Sequence, residues 1–168
     1  MTAGDMFALN AGGCSGTGIG KADCVCQALA IQNGLRRSST SKVLAWLSGS
    51  SVPMNCRLAS AMGLAGCAPT GTQVWYNTNY EPVFQGIETT TTGLLEPTSP
   101  VLLNAIRYTE KRFALPTEPD NVWTGTNPGG VFSGNNCSDW QTGLTGISGR
   151  TGQSDGIGPV WTNSADPM

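Results

Sequence analysis

The sequence contains no histidine, and only 12% of its 168 residues are charged. Histidine is the side chain that most readily acts as a base near neutral pH, so this common route to acid–base catalysis is closed. The 11 aspartates and glutamates are scattered, and no local motif pairs two of them for catalysis. No phosphate-binding Gly-x-x-x-x-Gly-Lys loop occurs either. We therefore predict no catalytic residues, and a protein that binds rather than catalyses.

The chain also lacks long basic runs and long apolar runs. Its nine lysines and arginines are outnumbered by acidic residues, which gives a net charge of −2. Because binding a row of phosphates requires clustered positive charge, we expect no nucleic-acid partner. Every apolar stretch is interrupted by Gly, Ser, Thr, Asn or Pro before it reaches the ~18 residues needed to cross a bilayer. We therefore expect no membrane insertion by this chain.

Glycine and proline are abundant, with 23 and 10 residues, so loops should occupy much of the chain. The length fits a single domain over residues 1–168. Apolar residues recur at three- and four-residue spacing over residues 21–33, and Gly34 follows, which predicts an amphipathic helix that ends there. Residues 43–47 form either one or two helical turns or a buried strand. Residues 56–67 are expected to form a loop between two cysteines.

The second half of the chain has a β character. Short β-prone runs are separated by Asn, Gly, Pro and Thr and predict antiparallel strands. These runs cover residues 74–76, 83–84, 101–103, 106–108 and 122–124. Residues 141–159 are rich in Gly, Ser and Thr and are interpreted as a long surface loop that precedes an unpaired Trp161. The overall class is α+β.

Six cysteines in a loop-rich chain with little charge are typical of an oxidised, exported domain. Zinc binding is the alternative, but there is no Cys-x-x-Cys pair and no histidine to complete such a site. Cys14 lies ten residues before Cys24, and Cys56 lies eleven residues before Cys67. Both pairs are easy loop closures, so we predict these two disulfides.

Cys26 and Cys137 are left over by this pairing. On the predicted helix Cys24 and Cys26 lie about 200° apart, so Cys24 faces outward and Cys26 faces the core. Cys26 and Cys137 either bond each other directly or lack their partners because a C-terminal part of the protein is missing from this chain. The second alternative predicts two separated, unbonded sulfurs.

Two blocks of sequence resemble a known family. The first contains Ala22-Asp23-Cys24-Val25-Cys26-Gln27 and is followed by Ala45-Trp46-Leu47-Ser48. The second contains Trp123-Thr124-Gly125 and Cys137-Ser138-Asp139-Trp140. Together they resemble a bacterial extracellular family that is similar to endostatin and has the C-type lectin-like fold. The family pattern is Ala-Asp-x-x-Cys-Gln, Ala-Trp-Leu-Ser, Trp-Thr-Gly and Cys-x-x-Trp, in that order.

The resemblance implies one or two helices packed on twisted antiparallel sheets, with long loops on one side. It also implies an extracellular location, since family members are surface lipoproteins, adhesins and fibre tips. By the same resemblance Cys26 would bond a cysteine in the last strand, and Cys137 would bond one just before it. The sequence ends at Met168 without those two cysteines. We therefore expect a C-type lectin-like domain that lacks its C-terminal strand.

One segment has the composition of a ligand-binding surface. It is rich in aromatic and amide side chains, which stack on sugar rings and bond their hydroxyls. The predicted ligand-binding residues are Trp75, Tyr76, Asn77, Asn79 and Tyr80. The alternative is an exposed strand end with one buried tryptophan.

Other aromatic and acidic motifs are interpreted as structural. Trp46, Trp123 and Trp140 lie in apolar runs or in the family blocks and are expected in the core. Glu118-Pro119-Asp120 resembles the Glu-Pro-Asn triplet that binds calcium in C-type lectins, which makes Glu118 and Asp120 weak calcium candidates. A turn explains the same residues more simply. No other metal or cofactor is expected.

The sequence thus favours an extracellular recognition domain, part of a larger surface or fibre protein, that binds glycan or another cell-surface molecule. A structural or oligomerisation module of an extracellular assembly is the alternative, and a homo-oligomer is compatible with both hypotheses. An enzyme would need two carboxylates about 5–9 Å apart in a cleft.

Overall fold

The computed structural model describes residues 13–35, 40–67, 74–85, 102–115, 121–141 and 147–164. Within these ranges the protein is α+β, as predicted, with three helices and two antiparallel two-stranded sheets. The helices are α1 (Gly18–Gln32), α2 (Met54–Ala61) and the single turn α3 (Cys137–Trp140). The strands are β1 (Val74–Tyr76), β2 (Pro82–Gln85), β3 (Asn121–Trp123) and β4 (Thr151–Gln153).

Helix α1 ends where the sequence predicts. Gly34 has a φ of 64°, a conformation that glycine adopts without the strain that a Cβ would cause. Leu35 N–H donates to the carbonyl of Ala30 at 2.8 Å, and Gly34 N–H donates to that of Ile31 at 3.2 Å. These two bonds form a Schellman motif, which satisfies carbonyls at the end of the helix. Helix α1 is therefore set by its local sequence.

Helix α2 corrects the sequence interpretation of residues 56–67 as a loop. Met54–Ala61 is helical, and a second Schellman motif ends it, with Leu64 N–H donating to the carbonyl of Ala59 at 2.9 Å. Ala, Leu, Met and Arg are strong helix formers, and the small residues let the helix pack closely. Met54 and Leu58 are buried on its inner face. The disulfide therefore ties a helix to the turn that follows it.

The two sheets are small and separate. In the first, Val74 pairs with Gln85 and Trp75 with Phe84, and the register shifts between Trp75 and Tyr76. In the second, Trp123 pairs with Thr151 across strands that are far apart in sequence. Within the described residues, three other segments that the sequence predicts as helical turns or strands do not form them. Residues 43–47 and 102–103 are neither helix nor strand, and Tyr108 forms only an isolated bridge with Ala114.

Two apolar clusters form the core. The first contains Met54, Leu58, Val83, Leu102 and Trp161, and the second contains Ala22, Leu47, Cys137 and Trp140. Trp140 is only 1% exposed, whereas Trp46 and Trp123 are half-buried against the first and second clusters respectively. Ring centroids of Trp123 and Trp140 lie 6.4 Å apart in an edge-on arrangement that aromatic pairs favour. All three predicted core tryptophans therefore contact a cluster, and one of them is fully enclosed.

The interpretation of residues 141–159 as a surface loop is wrong for the part that the structure describes. Thr151 and Gly152 are buried in β4, and Ser154 after it is buried as well. Trp161, which was expected to be unpaired, packs on Trp46 with ring centroids 4.5 Å apart. The hydrophobic pattern missed this segment because small polar residues can be buried as closely as apolar ones, and here the Thr151 hydroxyl is paired with that of Ser164 at 2.9 Å.

Both predicted disulfides are present. Cys14 is bonded to Cys24, and Cys56 is bonded to Cys67. Cys26 and Cys137 are unbonded, with Cys137 buried in the second cluster and Cys26 partly exposed on α1. Helix α1 therefore presents its two cysteines to different surroundings, and Cys24 is the exposed one, as predicted. Among the described residues no helix is long and apolar enough to cross a membrane.

Candidate functional site

Three of the four motifs that carry the family resemblance, Ala-Trp-Leu-Ser, Trp-Thr-Gly and Cys-x-x-Trp, meet at a buried serine. Ser48 is fully buried, and its N–H donates to the carbonyl of Thr124 at 2.9 Å. Its carbonyl accepts the indole N–H of Trp140 at 2.9 Å, and its hydroxyl accepts the N–H of Met54 at 2.9 Å. The hydroxyl of Thr126 completes the junction at 2.9 Å from the Ser48 hydroxyl. These contacts are saturated and enclosed, so the junction organises the fold and offers no exposed group to a ligand.

Next to this junction, α3 is a left-handed turn. All four of its residues have φ between 51° and 61°, which side chains other than glycine rarely adopt. Asn136 holds the turn by accepting the N–H of Asp139 at 3.0 Å. The Asp139 carboxylate accepts the N–H and hydroxyl of Ser50, and these bonds place the pKa of Asp139 below its ordinary value of 3.8. Strain of this kind persists only where neighbouring contacts over-determine it.

The predicted ligand-binding residues are divided between the interior and the surface. Trp75 is half-buried against the first apolar cluster, and Asn77 is buried. Tyr76 is 58% exposed, Asn79 is exposed and Tyr80 is half-buried. Strand β1 explains the first difference, because consecutive side chains of a strand point to opposite faces. Tyr76, Asn79 and Tyr80 thus stay available to a ligand, and Trp75 and Asn77 support the fold.

Asn77 organises the loop between β1 and β2. Its carboxamide oxygen accepts the N–H groups of Asn79 and Glu81, each at 3.0 Å. Its amide nitrogen donates to the Glu81 carboxylate at 2.9 Å and to the carbonyl of Ala105 at 3.1 Å. Asparagine is suited to this role because its side chain mimics a backbone turn. The loop is therefore fixed before any ligand arrives.

Glu81 is the best-defined polar group on this surface. Besides Asn77, the amide of Asn79 donates to its carboxylate at 3.2 Å and the hydroxyl of Tyr108 donates at 3.3 Å. The bond from Asn77, with those from Asn79 and Tyr108 and the charge of Arg107, holds the pKa of Glu81 below its ordinary value of 4.5, against the opposing effect of desolvation. Glu81 is therefore ionised at neutral pH and accepts hydrogen bonds in a fixed orientation.

Tyr80 and Arg112 form the other half of the surface. The Arg112 guanidinium carbon lies 4.5 Å from the Tyr80 ring centroid, and its Nη2 donates to the Tyr80 hydroxyl at 3.0 Å. That hydroxyl donates in turn to the carbonyl of Gly34 at 3.2 Å. Tyr80 and Arg112 have φ values of 63° and 64°, so two strained residues contact each other. Such strain in directly contacting residues is more typical of binding sites than of ordinary loops.

We name Asn79, Tyr80, Glu81, Tyr108 and Arg112 the hairpin surface. It combines an ionised carboxylate bonded by a carboxamide and a phenol with a second phenol bonded by a guanidinium. Sequence reasoning found Asn79 and Tyr80 and missed the other three as ligand-binding residues. A signal for the missed part exists in the composition, because three of the nine cationic residues fall within residues 107–112.

The calcium candidates Glu118 and Asp120 lie outside the described residues. In the part of the chain that is described, no three His, Cys, Asp or Glu side chains come together as metal ligands. Glu81 has its oxygens engaged by amide and hydroxyl donors. The hairpin surface therefore offers hydrogen-bond donors and acceptors that suit a polar organic ligand better than a calcium ion, which binds groups of oxygen atoms.

The sequence contains a Gly-x-Ser-x-Gly pattern, Gly152 to Gly156, which places Ser154 directly after β4. A nucleophile elbow needs an exposed serine on a strained turn, activated by a histidine base. Ser154 is 4% exposed and is not among the left-handed residues, and the chain has no histidine. The arrangement fits a tight turn after a buried strand and not a catalytic serine.

Fold and site define the chain as a small α+β protein with two disulfides and a polar, tyrosine-containing surface beside a hairpin. No family model, curated protein or solved structure matches it. The resemblance of its two sequence blocks to the endostatin-like family thus stays a prediction from the sequence.

Proposed function

We propose that this chain is an extracellular recognition domain that binds a glycan or a similar hydroxyl-rich surface molecule on the hairpin surface. The observation that carries the proposal is Glu81, an ionised carboxylate fixed by three side-chain donors beside the rings of Tyr80 and Tyr108. Sugars are recognised by this combination, in which carboxylate and amide groups bond hydroxyls and aromatic rings cover the apolar face of the pyranose.

Preorganisation supports a binding role. Every polar group of the hairpin surface is held by another residue, so little conformational entropy is lost when a ligand binds. The same rigid hydrogen-bonded arrangement around a loop is typical of recognition sites carried on a stable scaffold. The two disulfides stiffen that scaffold and are typical of proteins in oxidising compartments, which supports an extracellular location.

The C-type lectin-like fold is part of the proposal. Its support is the junction at Ser48, where Ala-Trp-Leu-Ser, Trp-Thr-Gly and Cys-x-x-Trp come into contact although up to 92 residues separate them. Motifs that occur in a fixed order and pack on one another behave as parts of one structural unit. We assign no catalytic role to the domain.

A structural role in an extracellular assembly is the second candidate. Large apolar side chains lie exposed on the surface, among them Leu103 at 61%, Phe113 at 69% and Ile157 at 50%. Scattered apolar residues are common on protein surfaces, but groups of them mark sites of association.

A glycan array with the complete chain, disulfides intact, tests the first candidate, and light scattering of the same sample tests the second. We expect a defined set of glycans to bind and Glu81→Gln to reduce that signal at least about tenfold, because a charged acceptor is lost. Asp155→Asn removes a carboxylate outside the hairpin surface and should leave binding unchanged. A stable oligomer with no glycan signal would reject glycan recognition in favour of the structural role.

A further inference from the structure

We propose that the ligand is an acidic sugar and that the guanidinium of Arg112 binds its carboxylate. This inference rests on the proposed function, since it names the class of glycan that the hairpin surface selects. Arg112 would be a specificity-determining residue, and Glu81 and Asn79 would bind the hydroxyls of the same sugar.

The distribution of charge is the first argument. The chain has a net charge of −2 and only nine cationic residues, yet Arg107, Lys111 and Arg112 fall within six consecutive positions that hold one acidic residue, Glu110. These positions belong to a turn in which Arg112 N–H bonds the carbonyl of Thr109 at 2.9 Å. A local cluster of positive charge on an otherwise acidic protein attracts an anion and orients its approach.

The second argument is that no acidic residue of the described ranges forms an ion pair with Arg112. In the described part of the chain Arg57 and Asp23 form the sole ion pair, and Arg112 contacts no carboxylate. Arg107 differs, because its charge acts on Glu81. Arg112 is exposed, and within the described ranges its side chain donates to the hydroxyl of Tyr80 alone. Most of its five N–H donors therefore remain for a ligand.

The third argument is geometry. The guanidinium lies over the Tyr80 ring and donates to the Tyr80 hydroxyl through Nη2, and these two contacts restrict its rotation. Its planar fork matches a carboxylate with two parallel hydrogen bonds, which a lysine ammonium does not. The left-handed backbone of Arg112 fixes where the side chain starts. A guanidinium held in this way is preorganised for a planar anion.

Glu81 sets the orientation of the sugar. An anionic carboxylate repels the acid group of the ligand, so the acid group lies toward Arg112 and neutral hydroxyls lie toward Glu81. Tyr80 is adjacent to Glu81 in the chain and its ring contacts Arg112, so both charged residues belong to the surroundings of the same loop. The opposite signs of these two residues favour a sugar with one acidic and one neutral edge over a uniformly charged polymer.

The test uses an array on which sialylated, uronic-acid-containing and sulfated glycans are each printed beside their neutral parent. We expect the carboxylated member of a pair to bind about 10–100-fold more tightly than its parent, the range of one charge-assisted interaction. Arg112→Gln should abolish this difference. Arg112→Lys should restore only part of it, because it returns the charge without the fork.

Lys111→Gln is the matched control. Lys111 is exposed and adjacent to Arg112 in the chain, and the substitution removes the same charge from a side chain other than the one that lies over Tyr80. It should weaken binding less than about threefold.

Equal losses of affinity in Lys111→Gln and Arg112→Gln would overturn the proposal, because they would show a general attraction between positive charge and an acidic glycan. Binding of sulfated glycans alone would overturn the proposal that the acid group is a carboxylate. If neutral glycans bind equally well and only Glu81→Gln weakens them, the proposed function stands and this inference fails. If no glycan binds, the proposed function itself fails. Unchanged thermal unfolding of each variant shows that a loss of binding is not a loss of fold.

Discussion

The guanidinium of Arg57 on α2 donates to the carboxylate of Asp23 on α1, across 34 residues of sequence. The same guanidinium donates to the carbonyls of Ala45 and Leu47, and Asp23 also accepts the N–H of Ala45 at 2.9 Å. The Arg57 side chain is 6% exposed and that of Asp23 is 29% exposed. One nearly buried cation thus joins both helices to the extended segment between them.

We expect Asp23→Ala to destabilise the protein by about 2–3 kcal/mol, below the ~3–5 kcal/mol of fully enclosed pairs because Asp23 is partly exposed. The physical reason is that the charge of Arg57 would stay buried without its partner. Urea unfolding followed by tryptophan fluorescence measures the change. Asp155→Asn serves as the control, because the carboxylate of Asp155 takes part in no ion pair in the described residues. Equal midpoints for the two variants would show that the ion pair contributes nothing.

A second prediction concerns the contact between Gly152 in β4 and the backbone of Trp161. A Cβ at Gly152 would collide with the carbonyl group of Trp161, which cannot move without displacing the Trp161 ring from its position on Trp46. Gly152→Ala should therefore cost more than about 2 kcal/mol. Gly20→Ala is the matched control, because nothing lies within 4 Å of a Cβ there and α1 should gain ~0.5–1 kcal/mol. A tolerated Gly152→Ala would contradict the packing of Trp161 against β4.

The features that sequence predicts best are those decided locally. Gly34 and the apolar spacing before it predict the end of α1, and loop closure over ten or eleven residues predicts both disulfides. Strands β1 and β2 follow from runs of β-prone residues. Strand β4 escapes prediction because Thr-Gly-Gln has no apolar pattern, and its burial depends on tertiary contacts with Trp123, which is distant in sequence, and with Trp161.

The candidate site shows the same division. Asn79 and Tyr80 stand in one aromatic and amide-rich segment, so composition indicates them. Arg112 and Tyr108 lie about 30 residues later and reach that segment only through tertiary contacts, with Tyr108 bonding Glu81 and Arg112 stacking on Tyr80. Trp75 and Asn77 are equally indicated by composition, yet strand alternation and loop bonding make them structural. The alternation of side chains along a strand could not separate the structural residues of this segment from the exposed ones, because the register shifts between Trp75 and Tyr76.

A third prediction uses the left-handed turn α3. Ser138 is exposed and has φ 54° and ψ 57°, a conformation that costs a residue with a Cβ about 1–2 kcal/mol. Ser138→Gly removes that strain and should stabilise the protein by about 0.5–1 kcal/mol after the entropic cost of glycine is subtracted. The same change at the exposed Ser60 in the right-handed helix α2 should instead destabilise it by ~0.5 kcal/mol. Chemical denaturation of both variants gives the two signs, and equal signs would contradict the left-handed turn.

The last prediction concerns the two unbonded cysteines. Burial, with a further contribution from the charge of Asp23 and against the opposing charge of Arg57, raises the pKa of the Cys26 thiol to about 11. Burial also raises the pKa of Cys137. Since only the thiolate reacts, native Cys26 should be alkylated by iodoacetamide at pH 8 roughly two orders of magnitude more slowly than free cysteine.

The rate at Cys26 should still rise about tenfold between pH 9 and pH 10, where free cysteine with its pKa of ~8.5 approaches a plateau. Unfolding in urea without reductant should expose two reactive thiols and no more, because Cys14–Cys24 and Cys56–Cys67 remain bonded. Mass spectrometry of the non-reduced, alkylated digest identifies which cysteines carry the label, and Cys26→Ser separates the two rates. A peptide that joins Cys26 to Cys137 would contradict the pairing, and fast labelling of the native protein at pH 8 would contradict the raised pKa of both thiols.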